Sequence, residues 1–186
     1  MGVFYVTLCV KVVQPDKLQQ FLSVSDDHGF VGPMESDWVA VCSKTLDHQD
    51  QEVIDTYGEL ISEHLGAPVV AFLNHDEAIL SVDTYMDGRG QTQYNSCPGY
   101  FFDDPNTNDL KPRLKSPDAL VSIVSPERRV AFQIALMIGA QDTLDLHARI
   151  AEALELPEYS LEFWYRDIKR QNVQSHGGAV LEFGRQ

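Results

Sequence analysis

Residues 68–95, PVVAFLNHDEAILSVDTYMDGRGQTQYN, decide the fold. Two apolar runs, Pro68–Leu73 and Ala78–Met86, are joined by the short polar link Asn74-His75-Asp76-Glu77. Asp87-Gly88-Arg89-Gly90 forms a second tight turn, and Gln91–Asn95 returns as a polar third strand. Strands joined by links this short pair antiparallel, because parallel pairing needs a crossover of a dozen or more residues. The segment is therefore an antiparallel meander.

Working outward toward the N-terminus, Val53, Ile54, Tyr57, Leu60, Ile61 and Leu65 recur at spacings of one, three and four, which predicts an amphipathic helix. Gly66 stands where a left-handed C-cap belongs, and Pro68 prevents continuation. Trp38–Cys42 reads as a short strand, and Ser25–Ser36, with Asp26, Asp27, Gly29, Gly32 and Pro33, reads as a loop. Phe4, Val6, Leu8, Val10 and Val12 alternate in a first strand with one fully buried face; Tyr5, Thr7, Cys9 and Lys11 make its other face mixed. Gln14-Pro15-Asp16 turns the chain into a short helix carrying Leu18, Phe21 and Leu22.

Toward the C-terminus, Cys97–Ser116 is rich in Pro, Gly, Asn and Asp and reads as a long loop. Ser116-Pro117 and Ser125-Pro126 each read as an N-cap followed by Pro at the first helical position, so helices are expected over about 117–124 and 127–138. Asp142 is expected to cap a third helix, with Leu146, Ile150 and Leu154 on one stripe, that Pro157 ends. Leu161, Phe163 and Tyr165 alternate as a last strand, and Ala179–Phe183 reads as an edge strand or a disordered end. The expectation is one α+β domain over residues 1–186. An antiparallel sheet of about five or six strands and its covering helix occupy mainly residues 1–96, and residues 117–156 form a helical segment.

An apolar content of 44% in 186 residues suffices for a real core. Val3–Val13 lacks a basic leader and a small-residue cleavage site, so no signal peptide is expected. Val130–Gln141, the longest run poor in charge, is far short of a membrane span. Cys9, Cys42 and Cys97 show no C-x-x-C spacing and leave an odd thiol, which points to a reducing cytoplasm.

The net charge of −14 is confined to one stretch. Residues 26–109 hold 17 Asp and Glu against Lys44 and Arg89, whereas residues 110–186 hold ten charges of each sign. A field this one-sided disfavours nucleic acid and anionic membranes, and it favours basic proteins and cations.

Trp38, Asp50-Gln51 and Tyr94-Asn95-Ser96-Cys97-Pro98-Gly99-Tyr100-Phe101 together resemble a bacterial family of cytosolic proteins with the signature Trp…Asp-Gln…Tyr-Asn-Ser-x-Pro-x-Tyr-Phe. The likeness continues through Leu146-His147, Leu154-Glu155-Leu156-Pro157 and Phe163-Trp164-Tyr165, and so spans about residues 38–168. That family has no established activity. The resemblance implies a shared fold and a shared surface, and it carries over no catalytic residue.

Tyr94, Tyr100, Phe101 and Phe102 crowd four aromatics around Cys97-Pro98-Gly99. Exposed, they would form a rigid docking surface; buried, they would seal the end of the sheet. Cys97 is the candidate nucleophile, but the surrounding negative charge would raise its pKa and no histidine adjoins it in sequence. Asp104, Asn106 and Asn108 match the first three ligand positions of a calcium loop. Asp109 replaces the Gly of the sharp turn and Lys115 the bidentate Glu, so this is no EF-hand and at most an adventitious cation site. Asp47-His48-Gln49-Asp50 and His75-Asp76-Glu77 lack zinc-pair geometry. Asp26-Asp27-His28-Gly29 is a candidate acid/base pair that reads more simply as a solvated loop. Lys111, Arg113 and Lys115 form a small basic cluster expected to pair with the acidic loop before it. No phosphate loop or Gly-x-Ser-x-Gly motif is present, and no cofactor is expected.

The leading expectation is a non-enzymatic binding protein, of immunity or inhibitor type, that docks a basic partner. Its anchor would be Tyr94, Asn95, Tyr100 and Phe101, steered by Asp47, Asp50, Asp103 and Asp104. One alternative is a hydrolase or transferase using a cleft metal or the Cys97 thiol. Another is that the acidity serves solubility alone.

Overall fold

The computed structural model describes residues 3–11, 14–100, 112–138, 142–171 and 180–184. In chain order it comprises β1 (Phe4–Lys11), α1 (Pro15–Leu22), β2 (Gly29–Val31), β3 (Trp38–Ser43), α2 (Gln51–Leu65), β4 (Val69–His75), β5 (Ile79–Met86) and β6 (Arg89–Asn95). There follow β7 (Arg113–Lys115), α3 (Pro117–Ser122), α4 (Arg129–Ile138), α5 (Thr143–Leu154), α6 (Tyr165–Gln171) and β8 (Leu181–Phe183). The eight strands form one sheet in the order β7-β6-β5-β4-β1-β3-β2-β8, antiparallel at every pairing. The fold is α+β as expected. Its first part traces β-α-β-β-α-β with spatial order β4-β1-β3-β2, the split βαβ arrangement, and the meander extends that unit past β4.

Both faces of the sheet are covered. Val6, Leu8 and Val10 of β1 pack with Val39, Val41, Val69 and Ala71 beneath Leu18 and Leu22 of α1 and Ile54 and Ile61 of α2. On the opposite face Cys9, Ala40, Phe72 and Val82 meet Leu120, Phe132, Ile150 and Ile168 of the C-terminal helices. Residues 117–156 therefore complete the core. This explains why the mixed face of β1 is buried too: Tyr5, Thr7 and Cys9 are fully inside. Thr7 Oγ1 donates to the Phe163 carbonyl (2.9 Å), and Tyr5 Oη lies 2.6 Å from His147 Nδ1.

The sheet has eight strands where five or six were expected, because two three-residue strands sit inside segments read as loops. β2 pairs with β3 and β8, and β7 pairs with β6. Runs this short carry too little periodicity to register. Leu161–Tyr165 is not a strand. Glu158–Glu162 is a turn of 3₁₀ helix, in which Ser160 N–H donates to the Pro157 carbonyl, and Tyr165 begins α6. Tyr165 and Ile168 are buried at helical spacing there. The C-terminal edge strand expected within Ala179–Phe183 is β8.

Caps divide the same way. Asp50 Oδ1 accepts from Glu52 N–H (2.9 Å), Gly66 takes φ 59° after α2, and Asp142 Oδ1 accepts from Leu144 N–H (2.8 Å). Ser116 and Ser125 make no side-chain cap; Ser116 is left-handed at φ 51°, and its carbonyl accepts from Thr92 Oγ1 (2.7 Å).

One glycine sets the height of α2 above the sheet. A Cβ on Gly58 would lie 2.2 Å from the Tyr85 ring, so only glycine permits this approach. Among the described residues no helix is long and apolar enough to cross a membrane.

Candidate functional site

The helix α2 packs over β4–β6, and its first turn starts partway along them. Beyond that turn and beside the helix, the described residues leave the sheet face open. Strand register fixes what lines it. Asp83 pairs with Gln93 and Gln93 with Lys115; Ser81 pairs with Asn95 and Asn95 with Arg113. Directly paired residues share a face, so these six side chains form two rows across β5, β6 and β7. Tyr94 and Thr92 point the other way and are buried.

Two grooves run over this face and share Gln93 and Lys115. The smaller, about 260 Å³, follows the seam between α2 and β5–β6 and is lined by Asp55, Glu59 and Asp83 among others. The larger, about 520 Å³, lies beyond the start of α2, over the ends of β4–β7.

The smaller groove is acidic. Glu52, Asp55, Glu59 and Glu63 recur at spacings of three and four, which sets four carboxylates along one side of α2. Gln51 Nε2 donates both to Asp83 Oδ2 (3.0 Å) and to Asp55 Oδ1 (2.9 Å), and Tyr85 Oη donates to Asp55 Oδ1 (2.6 Å). Glu63 lies against Gly88 of the β5–β6 turn, where Gly88 N–H donates to Ser62 Oγ (3.1 Å). Asp83 is only 5% exposed, and its Oδ1 has no hydrogen-bond partner among the described residues. Burial pushes its carboxyl up to about 6, and the charge of Asp55 adds to this. Gln51, Gln93 and Ser81 favour the ionised form, but none of them completes a hydrogen bond to Oδ1.

The larger groove has the opposite character. Its lining includes His48, His75, Gln93, Asn95, Arg113 and Lys115, and no Asp or Glu among the described residues. Gln49 Nε2 donates to the carbonyls of Asn74 (2.6 Å) and Tyr5 (3.3 Å), which fixes its amide. Its Oε1 must then accept from His75 Nδ1–H (2.7 Å). Asn95 Oδ1 accepts from Cys97 N–H (2.8 Å), and Gln93 Oε1 accepts from Lys115 Nζ (3.4 Å). Both amides are thereby oriented through their oxygens.

The residues singled out in the sequence disperse. Tyr94 is fully buried against the C-terminal helices and seals the sheet, so it offers no docking surface. Tyr100 is 44% exposed and meets His75 edge-on, with ring centroids 6.2 Å apart. Asn95 lines the larger groove. Asp47 is no steering charge: its side chain is 6% exposed and pairs with Arg166 Nε (3.1 Å). Burial raises its carboxyl and Arg166 opposes that rise. Asp50 caps α2. Phe101, Phe102, Asp103, Asp104, Asn106, Asn108 and Lys111 lie outside the described residues. Asp27 proves structural, since it accepts from Tyr57 Oη (2.5 Å) and from the amides of His28 (2.7 Å) and Thr45 (3.2 Å).

Cys97 is half-buried, and its thiol hydrogen-bonds to no imidazole among the described residues. Cys9 and Cys42 are buried free thiols; burial pushes Cys9 up to about 12. No group of three or more His, Cys, Asp or Glu among the described residues is placed to hold a metal ion.

Asp83 and the α2 carboxylates escaped the reading of the sequence. The available signal was an Asp in the middle of the strand-forming run Ile79–Met86, together with the three-and-four spacing of residues 52, 55, 59 and 63. No family model matches the chain, and neither a curated protein nor a solved structure matches it.

Proposed function

We propose that this protein is a non-enzymatic acidic binding protein that docks a basic partner along the seam between α2 and β5–β6. The observation that carries this reading is Asp83. A carboxylate oxygen that is buried without a donor is costly, and its residue lines a groove whose other carboxylates, Asp55 and Glu59, come from the adjoining helix. A Lys or Arg side chain entering from a partner supplies the missing donor and the compensating charge. Guanidinium suits the pair best, because it donates through several N–H groups in one plane. The sequence-wide field of residues 26–109 then steers encounter, and the seam holds the anchor. Docking of this kind fits an inhibitor or immunity protein that neutralises a cationic target.

The test is fluorescence anisotropy of a labelled arginine-rich peptide against the native protein, Asp83→Asn and, as a control that also removes one charge, Glu152→Gln on the exposed side of α5. Salt-sensitive binding that Asp83→Asn weakens far more than Glu152→Gln is expected. Equal loss in the two variants would show that net charge alone attracts the peptide and would sink the seam as the site.

A further inference from the structure

We infer that the outer side of α4 is a self-association surface, on which a second copy of this chain seats its own α4 in antiparallel contact. Val130, Ile134 and Met137 are 67%, 50% and 80% exposed. Their spacing of four and three places them on one stripe of the helix, and the exposed Ala131 widens it. The other side of α4, through Phe132, Ala135 and Leu136, is buried in the core. From Val130 to Ile138 the helix holds no charged residue and one polar one, Gln133. A helix that is apolar on both sides is built to be covered on both sides.

Charge, symmetry and the helix dipole select a second copy as the cover. Two chains of net charge −14 repel unless their acidic segments turn apart. α4 lies within residues 110–186, whose charges balance, and it packs on the sheet face opposite α2 and its row of carboxylates. Contact through α4 therefore joins the neutral sides and leaves the acidic sides outward. A two-fold axis at Ile134 sets Val130 of each copy against Met137 of the other, since these residues stand four before it and three after it. Met is unbranched and flexible, so it fills the uneven gap beside a Val. In an antiparallel contact the positive end of each α4, where Arg129 stands, also meets the negative end of the other. Area sets the strength. Ten residues of helix extend about 15 Å, so each copy offers about half of the roughly 800 Å² that one partner contributes to a stable complex. The dimer is accordingly weak and reversible. It is independent of docking at the acidic seam, which lies on the other face of the sheet.

The experiment is sedimentation velocity of the whole chain over about 1 μM to 1 mM in buffered saline. The sedimentation coefficient is expected to rise reversibly with concentration toward that of a dimer. Ile134→Glu sets two carboxylates face to face at the axis and is expected to weaken association at least about a hundredfold. Val24→Glu, at a position 85% exposed just beyond α1, adds the same charge away from α4 and is expected to leave association nearly unchanged. Val130→Lys combined with Met137→Glu is expected to associate more tightly than either single variant, because the introduced charges of opposite sign meet across the contact. Urea melts at low concentration verify that the variants keep the native fold. A chain that stays monomeric over the whole range would overturn the inference. So would equal weakening by Ile134→Glu and Val24→Glu. A large loss of monomer stability in Ile134→Glu would overturn it too, by showing that the stripe is covered within the chain.

Discussion

Gln51 reaches from the first turn of α2 to Asp83 on β5, with Nε2 3.0 Å from Oδ2, and this bond ties the helix to the sheet at the wall of the acidic groove. It satisfies one carboxylate oxygen and leaves the other without a donor. The folded protein therefore carries a cost at Asp83 that a partner's cation would relieve.

That cost has a pH signature. The carboxyl of Asp83 moves from an ordinary 3.8 to about 6 on folding, so the folded state holds its proton more tightly. Its contribution is most favourable below about pH 4 and is lost as pH rises through 6, by about 3 kcal/mol in all. Asp83→Asn is expected to raise the urea midpoint at pH 8 and to leave it nearly unchanged at pH 4. The same substitution is expected to weaken the proposed peptide docking. A variant less stable than the native protein at pH 8 would contradict this account.

His147 has the opposite sign. Complete burial lowers its imidazole from 6.5 to about 3, so the fold favours the neutral ring, stacked on Phe72 with centroids 4.0 Å apart. The stability this contributes is full above pH 6.5 and is lost as pH falls toward 3, amounting to about 2 kcal/mol by pH 5. Between pH 4 and 6 it runs against the Asp83 term, which flattens the overall profile. His147→Phe is expected to be less stable at pH 7, because the Tyr5 hydroxyl loses its partner, yet to lose less on acidification to pH 5. Paired urea titrations at the two pH values measure that difference.

Gly58→Ala puts a methyl carbon 2.2 Å from the Tyr85 ring, and the contact is relieved only by lifting α2 or turning the ring. A loss of about 2 to 3 kcal/mol is expected from the overpacking. The Tyr85–Asp55 hydrogen bond should loosen with it, so docking and stability fall together, which distinguishes this variant from Asp83→Asn.

The meander and α2 were legible because their signals are local. Asp87 and Gly88 take positive φ at a two-residue turn, and Ile54 and Ile61 are buried two turns apart. What escaped depends on distant partners. Gly29–Val31 is a strand only because Ser43 and Phe183 lie on either side of Gly29. Leu161, Phe163 and Tyr165 alternate like a strand, but the Phe163 carbonyl bonds to Thr7 from across the fold, and a 3₁₀ turn wins. Tyr94 looked like an anchor because sequence does not reveal that α3–α6 cover the second sheet face. For the same reason Asp83 passed as one more polar residue in a strand, since its meaning comes from Gln51 and Asp55 above it.

Gly184 adopts φ 83°, and a Cβ there would lie 1.7 Å from the Asp27 carbonyl oxygen. Gly184→Ala is expected to unseat β8 and expose β2. The drop is about 2 kcal/mol, a backbone clash added to a left-handed φ. Hydrogen exchange at Phe30 and Val31 should accelerate before the amides of β4 or β5 respond.

Both faces of β1 are buried, and one of them closes on residues far along the chain: Tyr5 and His147 are 142 positions apart. During synthesis the split βαβ unit can assemble as soon as β4 leaves the ribosome, yet the apolar surface of Ala40, Cys42, Val70 and Phe72 has no cover until α5 is made. At about 5–20 residues per second that interval lasts several seconds, long enough for a chaperone, or another nascent copy, to find the bare sheet first.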